Sequence, residues 1–578
     1  MSLRPMFVCA TVPALVALAV VSRPAAAGWP IFPGLNVPLC QAGGGQRYPN
    51  AVTDGKGGAI VAWDDQRGGP RDIYAQRVTA TGSVRWAWDG VAICSATNEQ
   101  YEPKLLADGV GGAIMVWADY RNGADYDIYA QRVDSSGASK WAANGVAICV
   151  ATGFQSHPAI VSDGSGGAII AWDDARSGNT RIFAQRVNAS GAPQWVANGV
   201  VLTTQTGGQD RPLAVPSGAG GALVIWEDNR NGRPDLYGQR IQSTGALDPA
   251  WPAAGRAIDL IGNYQIDYTM GVDGGGGAYV AWAQLTSGTR DVFLHHVFVS
   301  SALDPAWPSG GIKLVTDFYD QSSPALLPDG AGGVLVSWDD ARGSSRDIYA
   351  QHVLVTGAFD PAWPATGVPL CQAAGEQEDP LMVTDGAGGV IVTWHDITDI
   401  EADLYAQHLK STGVVDPLWP TDGRAISTAG LRQVTPTIVA DGVGGAVLAW
   451  EDGRNGTGDF GDFDIFSQGL KANGQLGDEP VGVSGAGSIA LALKSPSPNP
   501  ARTGAMVVRF SLPTSASATL DLFDVAGRRV VSREVGALGE GAHVVDLAAD
   551  RHPAPGVYFL RLSQQGQGER RQRVVVLD

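Results

Sequence analysis

Six loops of this sequence pair a carboxylate with a guanidinium at a fixed spacing. Each has the pattern Trp-x-Asp-x-Arg. Such loops could present rings of opposite charge to a ligand, because arginine binds planar oxyanions through two hydrogen bonds. A feature shared by so many loops is more typical of a structural role, in which the aspartate closes a turn and the arginine bridges to a carboxylate of the neighbouring unit. We expect that structural role. The six loops begin at Trp63, Trp117, Trp172, Trp226, Trp338 and Trp450.

Residues that break this pattern are the candidates for a ligand-binding face. In the fifth unit a glutamine replaces the aspartate, and two adjacent histidines replace a Gln-Arg pair. In the seventh unit a histidine follows the tryptophan, and the eighth unit contains an inserted acidic loop that could hold Ca²⁺. The candidates are Gln284, His295, His296, His395, Asp459 and Asp462.

None of these candidates has the spacing of a known site. Adjacent residues of a strand point to opposite faces, so His295 and His296 cannot easily share a metal. The acidic loop lacks the ligand spacing of calcium-binding loops. The competing interpretation is that these substitutions arose by sequence drift within the repeat. The sequence also contains no catalytic triad, phosphate loop or CxxC motif. We therefore predict no catalytic residue and no cofactor, with Ca²⁺ as the open alternative.

The elements that position these residues belong to a repeat of 54 to 56 residues within positions 28–483. A tryptophan and an earlier glutamine mark each of eight units. The third unit shows four strand patterns separated by glycine-rich turns, and its second strand is apolar at five consecutive positions. A strand that is apolar on both sides indicates burial between two other sheets. The length of the repeat and its four strand patterns together predict an all-β propeller.

The ends of the repeat region predict how the ring closes. The first segment, Trp29 to Cys40, ends in VPLC like the fourth strand of the sixth unit, whereas the eighth unit lacks a fourth strand. The N-terminal segment therefore completes the last blade and removes two exposed sheet edges. We predict an eight-bladed β-propeller closed by its N-terminal strand. All 17 tryptophans lie in this region, and their regular spacing favours packing between blades over sugar stacking.

Residues 1–27 have the features of a secretory signal peptide. Arg4 precedes an apolar run, and Ala25-Ala26-Ala27 forms a cleavage pattern. The competing interpretation, an uncleaved anchor, is disfavoured because the apolar run is short for a membrane span. No later stretch is long enough, so we expect no membrane span after signal removal.

Four cysteines remain after removal of the signal peptide. They occupy equivalent ends of fourth-strand patterns in different units, which should lie too far apart for disulfide bonds. We expect free, buried thiols. These residues are Cys40, Cys94, Cys149 and Cys371.

Residues 484–494 form a predicted linker, and residues 495–578 differ in composition from the repeat region. This tail has no tryptophan or cysteine, and its ten arginines outnumber its eight acidic residues, although the whole chain carries a net charge of −18. Six alternating strand patterns predict a small immunoglobulin-like β-sandwich.

Four stretches are the landmarks of the tail: PNP at 498–500, LFDVAGRRV at 522–530, GVYFLRL at 556–562 and VVV at 574–576. Their order and spacing resemble the C-terminal sorting domain of type IX secretion cargo. The resemblance implies passage through Sec, recognition by the outer-membrane secretion machinery, and release or surface attachment. The same elements are similar to the immunoglobulin-like domain of the flagellar hook-capping protein, which leaves a structural sandwich as the alternative.

The sequence as a whole predicts an exported, non-catalytic propeller that binds or displays a protein or glycan ligand. The acidic charge excludes nucleic acid as a favoured partner, because phosphate binding needs clustered Lys and Arg. The repeat resembles those of secreted bacterial propellers, some of them sialidase-like, but the Ser-x-Asp-x-Gly-x-Thr-Trp box of sialidases is absent. The alternative is a carbohydrate-active enzyme, a sialidase-like glycosidase or a lyase, with its site at the propeller axis. We expect a monomer that is secreted or held at the outer cell surface, with the periplasm as the alternative location.

Overall fold

The computed structural model describes residues 28–259, 264–286, 288–315, 318–343, 345–398, 401–456, 462–477, 491–493, 501–502, 506–514, 516–536, 541–547 and 553–577. These residues form β-strands joined by turns, and none of them forms an α-helix. Within this part of the chain, no helix is long and apolar enough to cross a membrane. The predicted signal peptide, residues 1–27, lies outside the described residues. The chain forms two compact units, residues 1–479 and 480–578.

The first unit contains eight four-stranded antiparallel sheets in its described residues. The first strand of each sheet, here called the inner strand, contacts the inner strands of both neighbouring sheets, so the eight inner strands form a closed ring around an axis. This arrangement is a β-propeller, and it confirms the predicted fold class. The inner strands are β2 (Gln46–Thr53), β6 (Gln100–Ala107), β10 (Gln155–Ser162), β14 (Gln209–Pro216), β18 (Gln265–Val272), β22 (Gln321–Pro328), β26 (Glu376–Thr384) and β30 (Gln433–Ala440).

The second and third strands form the middle of each sheet. The second strands are almost entirely buried, and each contains one of the repeated tryptophans with no exposed surface. The second strands are β3 (Ala59–Asp65), β7 (Ala113–Asp119), β11 (Ala168–Asp174), β15 (Ala222–Asp228), β19 (Ala278–Thr286), β23 (Val334–Asp340), β27 (Val390–Thr398) and β31 (Ala446–Asp452). The third strands are β4 (Asp72–Val78), β8 (Asp127–Val133), β12 (Arg181–Val187), β16 (Asp235–Ile241), β20 (Thr289–Val297), β24 (Asp347–Val353), β28 (Glu401–Leu409) and β32 (Asp464–Leu470).

The fourth strands are short and lie at the outer edge of each sheet. The first of them, β1, pairs with β32 of the last sheet, with Val37 opposite Ser467. The N-terminal strand therefore completes the last sheet, as the sequence predicts. The fourth strands are β1 (Val37–Cys40), β5 (Val91–Cys94), β9 (Val146–Cys149), β13 (Val200–Val201), β17 (Arg256–Ala257), β21 (Ile312–Lys313), β25 (Val368–Cys371) and β29 (Arg424–Ser427).

The tryptophans that precede the fourth strands connect neighbouring sheets. The Trp29 indole nitrogen donates to the carbonyl of Ala80 at 2.8 Å, and Trp86 donates to the equivalent carbonyl of Ser135 at 3.2 Å. Each ring lies against a turn glycine, and a Cβ added to Gly82 would collide with the Trp29 ring. These contacts support packing between blades rather than sugar stacking as the role of this tryptophan set.

The second unit has a three-stranded and a five-stranded sheet around one apolar core. This arrangement agrees with the predicted small β-sandwich. Leu491 and Leu493, at the end of the predicted linker, are buried in its core. The rest of that linker lies outside the described residues. The strands are β33 (Ala492–Leu493), β34 (Ala501–Arg502), β35 (Val507–Leu512), β36 (Ala518–Asp524), β37 (Arg529–Glu534), β38 (Gly541–Asp546), β39 (Gly556–Gln564) and β40 (Gly568–Leu577).

Candidate functional site at the propeller axis

The repeated Trp-x-Asp-x-Arg loop is a structural element. The Asp65 carboxylate is fully buried and accepts hydrogen bonds from the Trp63 indole and the Arg67 Nε, both at 2.8 Å. The Arg67 guanidinium also lies 3.8 Å from the centre of the Tyr74 ring. The same indole-to-carboxylate bond recurs at Asp119, Asp174, Asp228, Asp340 and Asp452.

The expected bridge from this arginine to a carboxylate of the neighbouring blade is wrong. The arginine pairs with the aspartate of its own loop, because the two-residue spacing already places both groups together. Its contact with the adjacent sheet is the Cys40 thiol, whose Sγ accepts from Arg67 Nη2 at 3.1 Å.

All four described cysteines are free and buried. Burial raises the pKa of Cys94, Cys149 and Cys371 to about 12. These thiols are therefore poor nucleophiles and do not form a reactive site.

Three of the candidate residues lie inside the fifth blade. Gln284 accepts the indole hydrogen bond of Trp282 at 2.9 Å and so takes the place of the aspartate in other blades. His295 is fully buried, and its Nδ1 accepts from the His296 backbone N–H at 2.9 Å. Burial lowers the pKa of His295 to about 4, so the ring is neutral.

His296 belongs to a separate structural device, which we call the histidine clamp. Its two ring nitrogens lie 2.9 Å from Asp304 and 3.1 Å from Asp273. The next two blades repeat the clamp, whereas the first three blades use an arginine on the equivalent turn aspartate. The other clamps are His352 with Asp329 and Asp360, and His408 with Asp385 and Asp416.

The remaining candidates are separated from these three. His395 lies near the axis, where its Nδ1 is 3.7 Å from Asp379. Asp462 is exposed, and Asp459 lies outside the described residues. No group of three or more His, Cys, Asp or Glu side chains among the described residues has the geometry to hold a metal ion, and the Ca²⁺ alternative stays a prediction.

Every inner strand contains a β-bulge at its start, and one residue of each bulge has a left-handed backbone. In β2 the register shifts between Arg47 and Asn50, and Tyr48 has a φ of 53°. Gln46 pairs with Asp65, so the bulge lies at the end of the propeller that carries the Trp-x-Asp-x-Arg loops. We call the eight left-handed residues the axial ring: Tyr48, Glu102, His157, Arg211, Asp267, Ser323, Asp379 and Thr435.

The eight residues that follow the second-strand tryptophans form a second ring next to the axial ring, which we call the supporting ring. Glu451 accepts from the Tyr48 backbone N–H at 2.8 Å, which connects the last blade to the first. Asp173 lies 2.9 Å from the His157 imidazole, and this hydrogen bond raises the histidine pKa. The supporting ring is Asp64, Ala118, Asp173, Glu227, Ala283, Asp339, His395 and Glu451.

Asp64 is the most perturbed carboxyl of the supporting ring. Its side chain is 1% exposed and forms an ion pair with Arg71, whose Nη1 lies 3.2 Å from the Asp64 Oδ2. Burial raises its pKa to about 7; Arg71 opposes the shift, while Glu451 and Glu102 add to it. Asp64 is therefore a carboxyl of this site whose raised pKa lets it hold a proton near neutral pH.

A cavity of about 190 Å³ opens between the inner strands of the first, second and eighth blades. Tyr48, a residue that is 40% exposed, lines it. Glu102 and Lys104 bring one negative and one positive charge to its wall. The cavity is lined by Tyr48, Pro49, Asn50, Glu102, Pro103, Lys104 and Thr435.

A row of four aromatic side chains begins next to this cavity. Tyr101 precedes Glu102 in the chain, and its ring centre lies 4.9 Å from that of Tyr126. The Tyr126 ring is in turn 4.9 Å from Tyr120 and 6.0 Å from Phe154. We call Tyr101, Tyr126, Tyr120 and Phe154 the aromatic row.

The axial ring and the aromatic row are absent from the sequence-predicted candidates, except that His395 contacts the ring. A signal for the ring was present: a proline follows the ring position in seven of the eight units. Proline within a strand is typical of a bulge, since it cannot donate to the ladder. The seven prolines are Pro49, Pro103, Pro158, Pro212, Pro324, Pro380 and Pro436.

No protein-family model matches the sequence, and a search of curated proteins finds no match. Among solved structures, an ulvan lyase of a polysaccharide lyase family is 11% identical, with a TM-score of 0.39, and the match covers 76% of this chain and 97% of the lyase. An endo-arabinase from Bacteroides thetaiotaomicron is 13% identical (TM-score 0.27; coverage 46% and 97%). An acylaminoacyl peptidase from Pyrococcus horikoshii is 9% identical (TM-score 0.38; coverage 71% and 57%). Because these likenesses are low, they carry no argument about activity.

Proposed function

We propose that this propeller is an exported binding module that holds a glycan at the axial ring. The observation that carries the proposal is the contrast between backbone and side chains in the ring. The eight bulges share one backbone conformation, yet their residues are of seven types, including acidic, basic, aromatic and hydroxyl side chains. A scaffold that fixes the backbone while the exposed side chain varies is typical of a binding surface.

The chemistry of the axial cavity favours a neutral, hydroxyl-rich ligand. Sugar hydroxyls can donate to the Glu102 carboxylate and accept from the Lys104 ammonium, and the opposite charges leave the wall without net charge. The partly exposed Tyr48 ring offers an apolar surface for the C–H face of a sugar. A cavity with an aromatic wall and a few polar groups is typical of small-ligand sites.

A glycan array followed by calorimetry tests the proposal. We expect the purified propeller to bind a subset of neutral glycans, and we expect Tyr48→Ala and Glu102→Gln each to weaken binding by about 10- to 100-fold. Val110→Ala is the matched control, since this exposed side chain lies in the turn at the other end of a blade. Absence of any glycan hit, or binding that survives both axial substitutions, would refute the proposal.

A catalytic version of this function is supported by the raised pKa of Asp64, a buried carboxyl of the supporting ring. A carboxyl with a pKa of about 7 near two further carboxylates has the properties of a general acid. In this alternative the propeller is a glycosidase or lyase that cleaves the glycan it binds. New reducing ends released from a bound glycan, with loss of turnover but not of binding in Asp64→Asn, would establish the enzyme.

For delivery we propose export through the signal peptide and recognition of residues 495–578 by the outer-membrane secretion machinery. The support is the predicted signal peptide and the order of the tail landmarks. The tail also has an apolar core of its own, so it can be recognised as a separate module.

A further inference from the structure

We infer that the ligand is an oligosaccharide chain that leaves the axial cavity along the aromatic row of Tyr101, Tyr126, Tyr120 and Phe154. This inference rests on the proposed glycan-binding function and specifies its substrate class. It assigns the row, on the second and third blades, and the cavity, between the first, second and eighth blades, to one extended site.

The aromatic row is not required by the blade architecture. The repeat has eight copies of each position, and the row residues occupy positions that are mostly polar or small in the other copies. At the position of Tyr101 the other units carry Arg47, Ser156, Asp210, Ile266, Ser322, Glu378 and Val434. At the position of Tyr120 they carry Gln66, Ala175, Asn229, Leu285, Ala341, Ile397 and Gly453.

The same comparison holds for the other two members of the row. Tyr126 is replaced by Arg71, Thr180, Pro234, Arg290, Arg346, Ala402 and, once by another aromatic residue, Phe463. Phe154 corresponds to Gly45, Glu99, Gly208, Asp320, Glu376, Arg432 and, again once, an aromatic Tyr264. Only the second and third blades bring four aromatic rings together at these positions, so blade packing does not explain the row.

The geometry of the row suits a chain. Tyr126 lies at its centre and contacts each of the other three rings, and Phe154, its member in the third blade, is 52% exposed. Sugar rings stack on aromatic surfaces through their C–H faces, so a chain that leaves the cavity beside Tyr101 can cross Tyr126 and reach Phe154. A single sugar held in the cavity has no use for an aromatic surface that extends away from it.

The polar groups along the row favour a glycan over a run of prolines, which aromatic surfaces also bind. The exposed Glu99 carboxylate lies 3.5 Å from the Tyr126 hydroxyl, and Glu102 stands beside Tyr101. Carboxylates accept hydrogen bonds but do not donate them. Sugar hydroxyls can donate to them, whereas proline has no backbone N–H to donate.

Calorimetric titration with oligosaccharides of increasing length, from one to six units of the array's best ligand, tests the inference. We expect affinity to rise by about tenfold for each aromatic ring that the chain reaches and then to level off. Phe154→Ala and Tyr126→Ala should remove most of this gain while leaving the affinity for the shortest ligand within about twofold. Phe318→Ala is the matched control, because Phe318 is 91% exposed and lies before the inner strand of another blade.

The outcomes separate this inference from the function on which it rests. If affinity does not depend on chain length while Tyr48→Ala still abolishes binding, the axial site stands and the extended site is wrong. If no glycan of any length binds, the proposed function is wrong as well. Binding of a proline-rich decapeptide that is lost in Phe154→Ala would assign the row to peptides and overturn the inference. Thermal melts of each variant show whether a loss reflects unfolding.

Discussion

Two adjacent aspartates show how environment decides the role of a side chain. Asp65 accepts hydrogen bonds from Trp63 and Arg67 and holds the loop of its blade together. Asp64, on the opposite face of the same strand, is equally buried, and its charged partner is Arg71 at 3.2 Å. The Asp65 carboxylate is therefore stabilised by its partners, whereas the Asp64 carboxylate is destabilised by burial.

We predict opposite stability effects for these two residues. The folded protein raises the Asp64 pKa from its ordinary 3.8 to about 7. The folded state therefore binds the proton more tightly than the unfolded state, and stability falls as pH rises from about 4 to about 7. Asp64→Asn removes this loss, so the variant should be more stable than the parent by about 2 to 4 kcal/mol at about pH 8, with no gain near pH 4.

Asp65→Asn is the matched control, because it changes the neighbouring carboxylate in the same way. We expect it to lower the free energy of unfolding by about 3 kcal/mol, since it leaves the Arg67 guanidinium without its buried partner. Urea unfolding of both variants between about pH 4 and pH 8 measures the two effects. A destabilised Asp64→Asn at high pH would show that the ion pair with Arg71 outweighs the cost of burying the carboxylate.

At the scale of the element, the histidine clamps show how the repeat tolerates substitution. In the first three blades an arginine bonds to the turn aspartate, whereas the fifth to seventh blades place a histidine between that aspartate and a second one. The second aspartate comes with a longer connection to the fourth strand in these blades. A ring with a carboxylate at each nitrogen donates from both nitrogens in its charged form.

We predict that His352→Gln destabilises the propeller by about 2 to 3 kcal/mol at about pH 6, because it leaves two carboxylates close together. His352→Arg should cost about 1 kcal/mol or less, since Arg240 already fills the equivalent place in the fourth blade. The Ala362 backbone N–H and, after it, His352 lower the pKa of Asp360; at Asp329 burial raises the pKa, but hydrogen bonds, led by that of His352, lower it overall. The contribution of these lowered pKa values to stability is therefore fully present above the ordinary carboxyl pKa of 3.8. It is lost as the pH falls through the lowered pKa of the two aspartates.

Thermal melts of both variants at about pH 6 and pH 3 check this prediction. The difference between His352→Gln and the parent should shrink at the lower pH. An equal loss for arginine and glutamine would show that the site needs the shape of imidazole rather than a charge.

The strands were predicted from the sequence, whereas the bulges at the start of the inner strands were not. The buried tryptophans and the glycine-rich turns mark where the strands lie, because burial and turn geometry act through local sequence. The axial ring depends on how the inner strands meet around the axis, which is a long-range property. Its polar residues vary from unit to unit, so a search for repeated residues passes over them. The candidates Gln284 and His295 broke the pattern for a different reason: they substitute for structural partners within one blade.

At the scale of the whole molecule, the N-terminal strand determines whether the ring is closed. The Trp29 indole, Val37 and Cys40 join a core with residues of the first and last sheets. Gly469 leaves room for this segment, because a Cβ at that position would collide with the Trp29 indole.

We predict that deletion of residues 28–45 lowers the melting temperature of the propeller by about 10 °C or more, because it exposes the edge of β32 and opens the ring. Gly469→Ala should destabilise the protein in the same direction by about 1 to 3 kcal/mol. Gly34→Ala is the control, since no atom lies within reach of the added Cβ. An unchanged melting temperature after the deletion would refute closure by this strand.

The tail should matter for location rather than for the propeller. We predict that a chain ending at about Val483 keeps the melting temperature of the full-length propeller but accumulates in the periplasm of its native host, because the tail has a core of its own. Fractionation followed by immunoblotting measures the location. A truncated chain that reaches the medium at the normal rate would leave the tail as a structural sandwich.

The pairing of the first strand with the last sheet also sets a schedule for biosynthesis. The Gln468 side chain donates to the Pro30 carbonyl, 438 residues earlier in the chain. At a translation rate of 5 to 20 residues per second, the first strand waits roughly 20 to 90 seconds for its partner. During this interval β1 is available to the last sheet of another nascent chain. Reciprocal exchange of this strand between two chains would give a domain-swapped dimer.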